Sequence, residues 1–213
     1  VNDHMTGRRH DAVIDLTRLP ELQGIHCSDG FLDIGAACTF AEIRQSPVVK
    51  RVAPALEQAA AIFGAWQIQN RATIGGNIAN ASPAGDSLPV LLALDAQLIL
   101  AGRAGVRVVP YADFHTAYRE TALGPDELIV RIQMSIPAST DTQRFWKVGT
   151  RAAQAISKVV VAFAARLDDG KMTRVRFAAG SVAPTPIRLI ATEAVCNGQT
   201  PDRRAADRAG ETV

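Results

Sequence analysis

The densest run of residues able to do chemistry is RATIGGNIANASPAGD, at positions 71–86. Gly75 and Gly76 permit close approach and positive φ, while Thr73 and Asn77 add a hydroxyl and an amide, so backbone N–H groups there can converge on an anion such as a pyrophosphate. The same dipeptide also serves as a plain tight turn, and the residues alone leave both readings open. The run lacks the Gly-Lys-Ser/Thr ending of a Walker A loop and does not match Gly-x-Gly-x-x-Gly. Asp86, ahead of Ser87 and Leu88, suits an N-cap and equally a ligand-facing acceptor. His4, His10, His26 and His115 are scattered, and Ser, His and Asp form no triad motif, so hydrolase chemistry has no support. Cys27, Cys38 and Cys196 show no CxxC spacing, which argues against a zinc site and a disulfide scaffold and suits a reducing compartment.

The elements that must position this run are legible on both sides. Strands are expected over 12–16 and 31–35. Thr39 and Glu42 form a capping box that starts a helix, Ser46 and Pro47 interrupt it, and Val49, Val52, Leu56, Ala60 and Phe63 mark a second helical face ended by Gly64. From 67 to 89 periodicity fails and a long polar loop is expected, of the kind that usually carries function. A helix over 88–94 and strands over 97–100, 106–109 and 128–136 follow. The proline-led stretch 137–142 reads as a linker. Strands over 145–148, 159–163 and 172–178, with a hairpin turn at Asp168, Asp169 and Gly170, and a helix over 188–196 complete an α+β appendage.

Lys and Arg total 23 against 21 Asp and Glu, so the near-neutral balance gives no reason to expect a nucleic-acid partner. With 47% hydrophobic and 21% charged residues the composition is globular. No apolar run reaches the roughly 18 residues of a membrane span, and the first residues do not resemble a signal peptide, so a cytoplasmic protein is expected.

The stretch ATIGGNIANASPAGDSLP resembles the second FAD-binding segment of the flavoprotein component of molybdenum hydroxylases, the family of xanthine dehydrogenase and carbon monoxide dehydrogenase. Further stretches agree in order: VIDLTRLPELQGI, FLDIGAACTFAEI, YRETALGPDELIVRIQMSIP, and FWKVGTRAAQAISKV followed by VRFAAGSVAPTPIR. The resemblance implies an α+β fold: a vanillyl-alcohol-oxidase-like (PCMH-type) FAD-binding domain over 1–140, then a small α+β C-terminal flavoprotein domain over 141–213, with FAD between them. It implies that Thr73, Gly75, Gly76 and Asn77 hold the pyrophosphate and ribityl oxygens, with backbone contacts from Ala72 and Ile74, and that Asp86 accepts a hydrogen bond from the cofactor's polar chain. Phe63 matches an aromatic position packed on the cofactor, Leu128 and Ile129 an apolar pair beside the rings, and Lys147 a cation at the flavin edge, where reduced flavin gathers negative charge. On bare residue type, Phe63 is equally a core side chain and Lys147 a solvated one, and Arg71 is expected to order the loop. Exchange of Lys147 for Met is then expected to leave the fold intact and lower the flavin potential.

No catalytic side chain and no metal ligand is expected on this chain. The resemblance places [2Fe-2S] clusters and molybdopterin on partner chains or domains, with a terminal acceptor that is NAD, dioxygen or another carrier. Acidic residues that accompany NAD use in the family are absent from TRAAQA at 150–155, which weakens NAD. The family's opening Gly-Gly-Thr-Asp stretch and its closing helix and Arg-containing strand are not in the sequence, so a chain truncated at both ends is expected. The alternative is a scaffold module that lost FAD and holds the iron–sulfur and molybdenum partners together. Another FAD enzyme of the superfold, such as an enolpyruvyl-sugar reductase, fits the appendage less well.

Overall fold

Alternating buried positions set two antiparallel sheets, and a run of short helices lies between the first two strands of the larger sheet and the rest. The computed structural model describes residues 11–138, 141–151 and 154–212. In chain order the elements are β1 (Ile25–Ser28), β2 (Phe31–Gly35), α1 (Phe40–Gln45), α2 (Pro47–Val52), α3 (Pro54–Ile62), α4 (Trp66–Gln69), α5 (Ile74–Asn80), α6 (Leu88–Ala93), β3 (Gln97–Gly102), β4 (Gly105–Pro110), β5 (His115–Ala117), β6 (Glu120–Thr121), β7 (Leu128–Ser135), β8 (Asp141–Gly149), β9 (Ser157–Asp168), β10 (Lys171–Gly180), β11 (Ile187–Arg188), α7 (Ile190–Cys196) and α8 (Arg203–Gly210). The larger sheet runs β1-β2-β7-β3-β4 and the smaller β11-β10-β9-β8, with β5 and β6 as a separate pair. The chain is thus α+β.

The capping box forms as the sequence requires. Glu42 N–H donates to Thr39 Oγ1 at 3.2 Å and Thr39 N–H to Glu42 Oε2 at 2.7 Å. Pro47 and Pro54 each open a helix, which splits the expected second helical face into α2 and α3. Leu32 and Ile34 of β2, Ile74 and Ile78 of α5, Leu98 and Leu100 of β3 and Phe145, Val160 and Ala178 of the smaller sheet belong to one buried cluster. The two sheets therefore share a core.

Two expectations change. Residues 12–16 form no strand: Val13 and Ile14 are exposed and pair with no neighbour, so β-branched content alone did not suffice. The expected loop over 67–89 contains α4 and α5. The tail beyond 200 folds as α8, capped where Asp202 Oδ1 accepts from Ala205 N–H at 2.8 Å. Part of the expected linker, Ser139 and Thr140, lies outside the described residues, as do His4, His10 and Ala152–Ala153 of the acceptor segment. Among the described residues no helix is long and apolar enough to cross a membrane.

His115 packs edge-on to Tyr111 and Phe114 and its Nε2 lies 3.2 Å from the Ile78 carbonyl, which makes Nε2 the protonated nitrogen and ties β5 to the end of α5. Burial holds the imidazole pKa below its ordinary value. The unfolded chain takes up that proton below about pH 6.5 while the native chain does not, so stability should fall as pH drops from 7 through this window and level off below the folded pKa. His115→Gln should remove that part of the slope in urea-unfolding midpoints. An unchanged slope would show that His115 does not titrate differently on folding.

Candidate functional site

The Gly-Gly run is a short helix laid flat against the turn that follows β2. Thr73 caps it, its Oγ1 accepting from Gly76 N–H at 3.1 Å. Ile74 N–H donates to Cys38 O at 3.0 Å, Gly75 N–H to Ala36 O at 2.9 Å, Asn77 N–H to Thr73 O at 3.0 Å, and Phe40 N–H returns to Ala72 O at 3.1 Å. A Cβ on Gly75 would lie 2.7 Å from Ala36 Cβ and 2.8 Å from its carbonyl oxygen. Neither Gly75 nor Gly76 has positive φ. The glycines are there for close approach, and the N–H groups of residues 74–77 are spent inside the protein rather than aimed outward.

Beside this helix lies a cavity of about 210 Å3. Thr73, Gly75 and Gly76 form one wall, and Leu123, Leu128 and Ile129 another. Sequence reasoning placed five of these six. It missed Leu123, as well as Leu16, Thr17, Leu22, Ala36, Ala37 and Ala79, which complete the lining. Small and aliphatic residues carry no chemical mark, and only the turn after β2 could have pointed to Ala36 and Ala37. Thr17, Ala37 and Thr73 are shared with an adjoining cavity of about 380 Å3, lined by Gln23, Thr39, Glu42, Asn70 and Arg71. One space is apolar; its neighbour is polar and carries a guanidinium and a carboxylate.

The other expected site residues lie elsewhere. Phe63 stacks on Phe40, ring centroids 3.7 Å apart and 10° from parallel. Ile74 is fully buried in the core, Ala72 packs against the core, and Asn77 Oδ1 accepts from Ser87 Oγ at 2.7 Å. Asp86 and Lys147 are brought onto each other: Lys147 Nζ sits 2.7 Å from Asp86 Oδ2 and Ser157 Oγ donates to Asp86 Oδ1 at 2.6 Å. Their side chains are only 7% and 9% exposed, Asp86 first, so this is a buried ion pair joining the loop before α6 to β8 and β9. Among the described residues no cluster of His, Cys, Asp and Glu could hold a metal ion. Burial lifts the Cys38 thiol behind the helix to about 11, leaving it unreactive at neutral pH.

Residues 2–139 match the family described as FAD binding domain in molybdopterin dehydrogenase, and residues 144–213 match that described as CO dehydrogenase flavoprotein C-terminal domain. The chain belongs to this FAD-binding family. It is 38% identical over 187 residues to the putative xanthine dehydrogenase FAD-binding subunit of Escherichia coli strain K12, covering 87% of this chain and 64% of that protein. It is 31% identical over 202 residues to the nicotinate dehydrogenase FAD-subunit of Eubacterium barkeri, covering 93% of this chain and 68% of that one. Carbon monoxide dehydrogenase from Hydrogenophaga pseudoflava has a chain that superposes with TM-score 0.89 at 30% identity, covering 93% of this chain and 69% of its own. The chain thus spans just under two thirds of the length of the first of these relatives.

The cavity pair fits the family's cofactor. One space combines apolar side chains with glycine backbone, and its neighbour combines Thr17, Thr73, Asn70 and Arg71 with the Glu42 carboxylate, which Thr39 already engages.

With Lys147 engaged by Asp86, its exchange for Met strips a buried carboxylate of its counter-charge, and the expectation of an intact fold gives way to a loss of stability. Lys147→Met should lose about 3–5 kcal/mol in urea denaturation. The double variant Lys147→Met with Asp86→Asn should recover more than half of that. A single variant as stable as the wild type would show that the pair adds nothing.

Proposed function

We propose that this chain is the FAD-binding, electron-transferring module of a xanthine-dehydrogenase-like molybdenum hydroxylase. Electrons from [2Fe-2S] clusters on a partner chain or domain arrive here and leave to a terminal acceptor, while substrate is hydroxylated at a molybdopterin centre on another polypeptide. The observation that carries the reading is the glycine-walled cavity beside α5, built from Thr73, Gly75, Gly76, Leu128 and Ile129. Family membership supports it. The units divide at 140/141, the first presenting α5 and the second the sheet that holds Asp86.

FAD, when bound, supplies the redox chemistry, exchanging electrons singly or in pairs. The protein's own task is to bind, orient and exclude water. Leu123, Leu128 and Ile129 would cover the ring system with apolar surface. The hydroxyls of Thr17 and Thr73 and the Arg71 guanidinium would receive the polar chain and its phosphates, a role that the N–H groups of 74–77 cannot take while they bond Cys38, Ala36 and Thr73. Gly76 is exposed on the cavity wall, so the absence of a side chain there leaves the space open. No side chain needs to act as a general base.

Titration with FAD, followed by the visible flavin absorption bands after gel filtration, tests this on the 213-residue chain and on the full-length protein. Stoichiometric flavin in the full-length protein is expected. Gly76→Val should fold, losing about 1 kcal/mol as Thr73 Oγ1 is displaced from its cap, and should retain no flavin. Gly75→Val should fail to fold, because its side chain meets the Ala36 backbone. A folded Gly76→Val protein with full flavin content would defeat the assignment of the cavity, and a full-length protein that binds no FAD would leave the scaffold reading.

A further inference from the structure

The wall of the cavity formed by Leu123, Leu128 and Ile129 is held differently at its two ends. At the Ile129 end it is tied to α5 through one residue: Ala36 N–H donates to Val130 O at 3.0 Å, and Ala36 O accepts from Gly75 N–H at 2.9 Å. At the Leu123 end the chain enters a turn, Gly124-Pro125-Asp126-Glu127, in which Glu127 N–H donates to Gly124 O at 3.1 Å. Leu123 and Leu128 stand one on each side of that turn. A single closing bond leaves such a turn free to shift as a body, so whatever anchors it also places the two leucines.

The anchor lies outside the cavity. Glu127 folds back over the turn, its Oε2 accepting from Gly124 N–H at 2.7 Å. Arg107 of β4 grips the same carboxylate as a fork, Nε donating to Oε1 and Nη2 to Oε2, each at 2.7 Å. Its Nη2 also donates to Ala122 O at 2.7 Å. One guanidinium thus spans the turn, bonded to the residue before Leu123 and to the residue before Leu128. The fork, and after it the Gly124 N–H, pulls the Glu127 carboxyl down to about 2, which keeps it ionised through the neutral range. Gly124 belongs to the same device, because a Cβ there would lie 2.9 Å from Glu127 Oε2. Arg107, Gly124 and Glu127 do not themselves line the cavity.

We propose that Arg107 and Glu127 are positioning residues for the flavin ring: clamped to each other across the turn, they fix where Leu123 and Leu128 stand and so hold the apolar wall in place. This rests on the cofactor reading of the cavity. The Arg107 side chain is 48% exposed, and exposed ion pairs add little to global stability, so the effect of the clamp is local. A binding site depends on such support, since side chains that touch a ligand are only as well placed as the groups behind them.

The test is the FAD affinity of the full-length apoprotein, read by titration of flavin fluorescence, with the visible spectrum of the bound flavin and the urea midpoint measured on the same samples. Arg107→Gln should keep a urea midpoint near that of the wild type and weaken FAD by about tenfold or more, the scale on which loss of an orienting partner acts. The visible band of the flavin that still binds should lose structure, because a loosened wall lets water reach the ring. Gly124→Ala leaves Arg107 and β4 untouched and meets only the Glu127 side chain, so it should fold and weaken FAD in the same direction. Wild-type affinity and spectrum in both variants would overturn the inference. So would a loss in Arg107→Gln that is matched by a fall in its urea midpoint and is absent from Gly124→Ala, which would make Arg107 a support of β4 alone. A wild-type protein that binds no FAD would bring down the cofactor reading and the inference together, an outcome told apart from the others because it appears without any variant.

Discussion

The contact between Gly75 and Ala36 is the constraint on which the rest of the site depends. A 2.9 Å hydrogen bond from Gly75 N–H to Ala36 O leaves no room for a Cβ, and in return it lays a whole helix against the turn after β2. The bonds from Ile74 to Cys38 and from Phe40 to Ala72 extend that contact into a continuous seam. His115 holds the far end of the helix by the Ile78 carbonyl. The cavity wall is therefore backbone, fixed at both ends before any ligand is present.

This fixation decides how a ligand could be recognised. A glycine loop with free N–H groups would bind an anion through its backbone; here those groups are committed, and polarity is divided between two adjoining spaces. Leu123, Leu128 and Ile129 line the apolar space, and Arg71 lines the polar one, with Thr17 and Thr73 bordering both. Asp86 is engaged within the protein. Its two oxygens accept from Lys147 of β8 and Ser157 of β9, which ties both strands to the loop before α6. A buried pair of this sort fixes register more than it adds net stability.

Much of this architecture could be read from local signals, and the exceptions have physical causes. Thr39 and Glu42 announced α1 because a capping box is a short-range pattern whose two bonds close within four residues. The strands around Leu98, Ile132 and Val160 showed as branched apolar runs. Residues 74–80 did not read as a helix, since two glycines and two asparagines have poor intrinsic propensity, and the helix exists because the β2 turn supplies its partners. Conversely, Val13 and Ile14 had the propensity without a partner strand. Thr73, Gly75, Gly76, Leu128 and Ile129 were marked by type and resemblance. The pairing of Asp86 with Lys147 spans 61 positions, and no spacing rule joins groups so far apart.

The segment between α5 and α6 links these features mechanically. Ala81 leaves α5 in a left-handed conformation, φ 47°, and turns the chain toward the smaller sheet. There Ser181, also at positive φ, donates its N–H to Pro83 O at 2.9 Å, and Gly180 lies against the same carbonyl and the Pro89 ring. Asp86 then locks onto β8 and β9. A polar stretch rich in Gly, Pro and Ser would otherwise sample many conformations, each of which a ligand would have to exclude on binding. Because the turn after β2 grips the stretch at Ala72 and Ile74 and the smaller sheet grips it at Pro83 and Asp86, that ordering is completed during folding, and the cavity beside α5 is preorganised by a sheet that contributes none of its lining residues.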